Sequence, residues 1–282
     1  MTTAPVTTAP RTAAPLTSAS GMSRRLDLLS GPAAAAAMTD SSVVVIPTGS
    51  IEHHGAHLPV ATDLIMAEEV AAAAVDRAVA AGVDAWLLPA LTYTKSDEHH
   101  WAPGTMWITA ETLMATLVDL GRSLETLGAK RVLFFNGHGG NVAPLAMALR
   151  ELRRRFGLQT FASHVSVPVS DTSDTDEHGM PIHAGHGETS LMLHLRPELV
   201  DMSLAVRAVP EHLADTPRIG FHSTPVAFGW LSNDFGPTGV IGDPTGATAA
   251  LGAQVFEDNV AGAAESLAQI ARFSPRPPAA TS

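Results

Sequence analysis

Hydrophobic and polar positions along this chain switch between two periods. Residues 42–47 (SVVVIP), 85–89 and 131–135 (RVLFF) are short apolar runs of the kind that form buried strands. Residues 158–164 read as a fourth strand. Between them the spacing predicts helices. One covers 64–81, with Thr62 or Asp63 as N-cap and Gly82 as stop. Another covers 110–127 and ends at Gly128. A third is capped by Asn141 and runs to Phe156, with Gly157 after it. A short helix over 189–195 and a long one over 247–273 complete the pattern. This alternation argues for a three-layer α/β/α sandwich around a mainly parallel sheet. Such folds place their chemistry at the carboxyl ends of the strands.

The periodic region, 22–273, reads as a single domain. Residues 1–21, rich in Thr, Ala and Pro, read as a disordered tail, and 274–282 as a flexible one. The most apolar stretch, 71–81, carries Asp76 and Arg77, so no membrane span is expected. The N-terminus lacks the apolar core of a secretory signal, which points to the cytoplasm.

Composition narrows the field. Hydrophobic residues make up 45% and charged ones 16%, as in an ordinary globular protein. A net charge of -11 argues against nucleic acid and anionic membranes as partners. The arginines of 150–155 read as a solvated helix face or subunit contact. The absence of cysteine excludes a thiol nucleophile, a thiolate-held zinc and any disulfide. There are 13 histidines, and they cluster.

Three segments hold the candidate chemistry. SIEHHGAHLPVATD (50–63) follows the first strand. If the chain stays extended there, Glu52 and His54 point together and His53 points away. Asp63 returns at a helix start, and its two oxygens could bridge two metal ions about 3.5–4 Å apart. The same residues also suit a polar loop with capping groups. NGHGGN (136–141) delivers His138 from the third strand; Gly137, Gly139 and Gly140 permit unusual backbone or close approach. It could also be a glycine turn with an incidental histidine. HAGHGETS (183–190) adds His183, His186 and Glu188, although an acid in a first helical turn is ordinary dipole chemistry. Glu52, His54, Asp63, His138 and Glu188 together are oxygen and nitrogen ligands without sulfur, suited to Zn, Mn or Fe(II). Metal-activated water would attack, and His183 is a spare imidazole for protonating a leaving amine. No G-x-S-x-G, G-x-G-x-x-G, P-loop or HEXXH motif competes. IGDPTGAT (241–248) reads as a structural turn or an anion site.

PTGSIEHHGAHLPVATD, NGHGGN, HAGHGETS and GVIGDPTGAT, in this order, resemble the creatininase family of metal-dependent amidohydrolases. LTYTKSDEHHWAPGTMWIT (91–109) is similar less closely to a family loop ending in a Gly-Thr pair. The resemblance spans about 43–252. It implies two divalent metal ions per subunit, Zn or Mn with Fe possible, in a homo-oligomer, often a hexamer. Glu52, His54 and Asp63 match the family's first three ligands, with Asp63 as the bridge, and His138 matches the next. His183 matches the family's acid histidine. Two departures stand out. Creatininase proper carries Tyr-Glu, the Glu a ligand, where this chain has Gly139 and Gly140. Glu188 is then expected to supply that carboxylate, as ligand and catalytic residue. Creatininase proper also has a tryptophan where Gly179 stands. Both changes argue against creatinine as substrate. The HAGHxETS form and the G-V-x-G-D-P tail resemble the family's mycofactocin-associated peptidases.

The expected activity is cleavage of a C–N amide bond in a small cyclic amide, a formamide or a peptide. Two rivals are a non-catalytic metal-binding scaffold and a histidine-rich metal buffer. Loops 91–107 and 212–234 should set specificity, with Trp101, Trp107 and Trp230 as candidate walls. His57 is expected to orient a ligand. His164, His194, His212 and His222 have no ligand spacing.

Overall fold

The computed structural model describes residues 24–167, 182–221 and 224–275. The tail expected at 1–21, most of that at 274–282, Gly179 and His222 lie outside the described residues. Four strands, β1 (Val43–Thr48), β2 (Ala85–Leu87), β3 (Arg131–Asn136) and β4 (Gln159–His164), form one parallel sheet in the order β2-β1-β3-β4. The helices are α1 (Gly31–Ala36), α2 (Thr62–Ala80), α3 (Ala110–Leu127), α4 (Val142–Phe156), α5 (His186–Leu195) and α6 (Ala249–Arg272).

Period two sorts the strand side chains into two layers. Val43, Val45, Leu133 and Phe135 pack with α2 and α6. Val44, Ile46, Val132 and Phe134 pack with α1, α3 and α4. Each such side chain contributes about 1.5–3 kcal/mol on burial, so a one-residue slip of register would exchange the two sets and is strongly disfavoured. The three-layer α/β/α sandwich expected from the sequence forms in this way.

The chain leaves β1 through α2 on one face to reach β2. It returns through α3 on the other face to β3. This reversal opens a crevice at the carboxyl ends of β1 and β3, the usual place for a ligand in such a sheet. A third apolar cluster, with Leu58, Met66, Leu191, Met192, Val240 and Val255, ties α5 to α2 and α6 beside that crevice. No helix among the described residues is long and apolar enough to cross a membrane.

The expected helix caps need correction. Neither Thr62 nor Asp63 caps α2: Thr62 is its first residue and donates its hydroxyl to Pro59 O at 2.7 Å, while Asp63 is buried. Asn141 stands at the expected N-cap position of α4 but makes no side-chain capping hydrogen bond. Its Nδ2 donates to Gly49 O at 3.0 Å and Asn136 Oδ1 at 3.2 Å. In both cases the crevice claims the polar side chain. Thr109 does cap α3, accepting from Thr112 N. Helix α5 starts at His186, three residues before Thr189, and β2 stops at Leu87. The pattern did not reveal α1 or the small pair β5 (Ile219–Gly220) and β6 (Val226–Ala227).

Candidate metal centre

The chain beyond β1 runs without helix or turn through His54, and the expected alternation follows. Glu52 and His54 are buried, with Oε1 3.9 Å from Nε2. His53 turns away, bonds Thr238 O through Nε2 at 3.0 Å and meets Trp101 edge-on. Asp63 reaches the same place from the first turn of α2, where Ser50 Oγ donates to its Oδ2 at 2.8 Å. A Cβ on Gly137 would strike the Asp63 carbonyl, and Gly137 has no positive φ. Close approach, not unusual backbone, is therefore what this glycine provides.

His138 sits at the end of β3. Asn136 holds its backbone, donating to His138 O at 2.6 Å and accepting from His138 N at 3.2 Å. His138 Nδ1 is 3.0 Å from Asp63 Oδ2 and 3.3 Å from Glu52 Oε1. The other Asp63 oxygen is 3.2 Å from His54 Nε2. Asp63 thus lies between two imidazoles. His183 Nδ1 is 3.4 Å from Glu52 Oε1, and its Nε2 faces His53 O at 2.6 Å. Ala184 follows with φ 54, a left-handed conformation that costs about 1 kcal/mol or more in a residue with a side chain. This turn aims Ala184 N–H at Glu188 Oε2, 2.7 Å away.

Charge in the crevice is balanced by imidazoles. Burial raises the carboxyls of Glu52 and Glu188 to about 7 each. Burial opposes charge on His54, but Asp63 and Glu52 outweigh it and hold His54 at about 9. Burial likewise opposes charge on His138, yet Glu52, Asp63 and Glu98 keep its pKa well above the ordinary range. Burial alone would raise Asp63; His54 and His138 hold it well below the usual carboxylate range. His183 is kept neutral by burial and by the neighbouring His54 and His99. Glu52 Oε2 is buried with no hydrogen-bond partner among the described residues. Three groups of donor atoms each lie within 4.8 Å of one another: Glu52, His54 and His183; Glu52, Glu98 and His138; His54, Asp63 and Glu188. An orphaned carboxylate oxygen amid oxygen and imidazole donors fits a centre for borderline divalent cations.

Glu52, Asp63, Glu98, His138, His183 and Glu188 line a cavity of about 360 Å³, with His54 behind them. Both expected loops reach it, through Lys95, Glu98 and His99 on one side and Phe228, Gly229 and Trp230 on the other. Trp107 is exposed and Trp101 instead donates to Ser232 Oγ at 2.7 Å. All five expected ligands and His183 come together. Glu98 and His99 do so too; their only trace in the sequence is the DEHH run, which has no diagnostic spacing. Burial would raise Glu98, but the hydrogen bond to His138 and the charge of Lys95 hold it at about 2. His57 does not touch an expected ligand side chain through its bonded nitrogen: Nε2 meets Thr189 Oγ1 at 3.0 Å. In IGDPTGAT, Asp243 Oδ1 accepts from Thr245 N and Oγ1, the hydrogen bonds of a structural turn. The arginines of α4 lie on its outer face, where Arg154 and Arg155 pair with Glu151.

Residues 27–267 match the creatininase family profile, described as creatinine amidohydrolase. The mycofactocin precursor peptide peptidase of Mycolicibacterium smegmatis is 38% identical over 237 residues, 83% of this chain and 86% of that protein. The creatinine amidohydrolase of Pseudomonas putida is 34% identical over 187 residues, 60% of this chain and 70% of that one. Among solved structures, a Zn–Zn type of a mutant creatininase is 25% identical with a TM-score of 0.69, covering 89% of this chain and 100% of that chain. The chain belongs to the creatininase family and is a hydrolase.

Proposed function

We propose that this hydrolase uses two divalent metal ions, zinc or manganese, to cleave a C–N amide bond in a peptide of the mycofactocin-precursor class. The observation that carries this reading is Asp63, whose two oxygens face His54 and His138 separately. Glu52, Asp63 and His138 would hold one ion, and His54, Asp63 and Glu188 the other. Ions bound there would bring the pKa of a coordinated water towards about 7 and polarise the substrate carbonyl. His183 moves the proton. Its Nε2–H donates to His53 O, so its Nδ1 keeps a lone pair turned to the crevice. That nitrogen accepts a proton from the attacking water and returns it to the leaving nitrogen. Phe228 and Trp230 offer an apolar wall to the rest of the substrate.

Two features favour a peptide over creatinine. The match to the peptidase extends over more of the chain than the match to creatinine amidohydrolase. Gly139 leaves the cavity wall bare, because a Cβ there would meet nothing within 4 Å, which gives room for a longer substrate. The decisive experiment is metal analysis of the purified protein followed by assay on a panel: precursor-type peptides, creatinine, formamides and lactams. The expected result is about two tight ions per chain and peptide cleavage, abolished by chelation and restored by zinc or manganese. Turnover of creatinine alone would replace the peptide assignment with a cyclic amide. Full turnover without metal would overturn the mechanism.

A further inference from the structure

Gly140 lines the crevice two residues after His138 and has no side chain there. The structure shows what fills the space. A Cβ on Gly140 would fall well inside van der Waals contact of Glu98 Oε1 and His138 Nε2, and 2.6 Å from Lys95 O. Gly140 has no positive φ, so its backbone does not demand glycine; the crowding does. The space belongs to the Glu98 carboxylate, which arrives from the loop between β2 and α3.

That carboxylate is fixed on several sides. Its Oε1 is 3.3 Å from His138 Nε2. Lys95 Nζ donates to its Oε2 at 2.9 Å. Ser232 Oγ donates to the Glu98 carbonyl at 3.2 Å. The Lys95 carbonyl also accepts from His138 Nε2 at 2.8 Å. His138 therefore donates from Nε2 to the Lys95 carbonyl, and that nitrogen lies 3.3 Å from the Glu98 carboxylate. Its other nitrogen, Nδ1, faces Glu52 and Asp63. A proton kept on Nε2 leaves Nδ1 as the nitrogen with which this histidine binds a cation. A carboxylate behind a ligating imidazole also makes the imidazole a better electron donor.

We infer that Glu98 is a positioning residue for the metal centre, fixing the tautomer and orientation of His138 from the space that Gly140 leaves free. This rests on the two-metal reading above. Glu98 acts through His138, on one of the two ions, and Gly140 and Glu98 form a matched pair. A side chain at residue 140 and the present seat of Glu98 exclude each other.

The test is binding, not turnover. Metal-free full-length protein is titrated with Zn²⁺ against a competing chelator, for wild type, Glu98→Gln, Glu98→Ala and Gly140→Ala. Circular dichroism of each metal-free form checks its folding. Glu98→Ala is expected to weaken one of two sites by about 10–100-fold and spare the other. Glu98→Gln should weaken the same site less, because the amide oxygen still lies beside Nε2. Gly140→Ala should weaken that site too, by crowding both the carboxylate and His138. Should Glu98→Ala not fold, the other two variants decide. Equal weakening of both sites, or two wild-type affinities in Glu98→Gln and Gly140→Ala, overturns the role of Glu98 while leaving two metals in place. A wild-type protein that binds no Zn²⁺ overturns the two-metal reading and this inference with it.

Discussion

Two loops reach the crevice from neighbouring strands and serve it differently. The loop after β1, residues 50–63, brings Glu52, His54 and Asp63 with their polar atoms turned on one another. Among the described residues none of them pairs with a lysine or arginine, and Glu52 Oε2 has no hydrogen-bond partner. The loop after β2, residues 95–99, brings Glu98 and His99. Its carboxylate has a lysine of the same loop as partner, and its histidine lies against His183 with ring centroids 4.1 Å apart. Lying beside a metal centre does not by itself make a side chain a ligand. A group whose charge is already matched inside its own loop supports the site. A group left without a partner calls for an ion.

The harshest way to break this contrast is Asp63→Asn. It removes charge from between two imidazoles in the first loop. Both ions should be lost, and kcat/KM should fall on the order of 10³-fold, equivalent to several kcal/mol. Metal content and steady-state kinetics check it. If the variant kept two tight ions, the first loop would no longer be the ligand loop, and the distinction between the loops would disappear.

A pH experiment probes the first loop without metal. His57 is buried in it, and burial, then the charge on His54, lowers its pKa from 6.5 to about 4. Between these values the unfolded chain binds a proton that the folded chain refuses. Stability is thus fully present above about 6.5 and drains as pH falls to about 4, by on the order of 3 kcal/mol. Glu52 and Glu188 act with the opposite sign, since their raised pKa values favour the folded state as pH falls below about 7. The measurement is therefore a difference: Tm against pH for metal-free wild type minus that for His57→Asn. The wild type should lose more on acidification. Parallel curves would mean that His57 is not held neutral by the loop.

The same contrast explains what could be read from the sequence. The strands were legible as short apolar runs because both faces of the sheet are covered, Val43 and Val45 facing one layer and Val44 and Ile46 the other. Glu52 and His54 were legible because the extended chain beyond β1 keeps that alternation. Thr62, Asp63 and Asn141 looked like helix caps, since residues of their types at helix starts usually are. Tertiary contacts overruled that local preference. Glu98 was legible only as a member of the expected loop 91–107, not as a residue of the metal centre. Its clearest signal is the missing side chain of Gly140 in a different segment, and only folding brings the two together. His99 was equally hidden, because nothing in a DEHH run says which histidine turns inward.

A milder perturbation loosens the frame that both loops share. Asn141 Nδ2 ties Gly49, just before the first loop, to Asn136 beside His138. Asn141→Ala should cost about 1–2 kcal/mol of stability, read from urea unfolding, because two buried acceptors each lose a donor. Gly49 O still accepts from Thr94 Oγ1, which limits the damage. An unchanged midpoint would show that the loops are set by their strands alone.

The smallest expected effect isolates the second loop. Ser232 is buried, accepts from Trp101 Nε1 at 2.7 Å and donates to Glu98 O at 3.2 Å. It connects the wall that carries Phe228 and Trp230 to the backbone of the supporting loop. Ser232→Ala should cost roughly 1 kcal/mol and raise KM about five-fold. The carboxylate of Glu98 keeps Lys95 and His138, so both ions should stay bound. If Ser232→Ala instead lost the same ion as Glu98→Ala, the wall and the supporting loop would be one mechanical unit, and substrate contact at Trp230 would bear directly on His138.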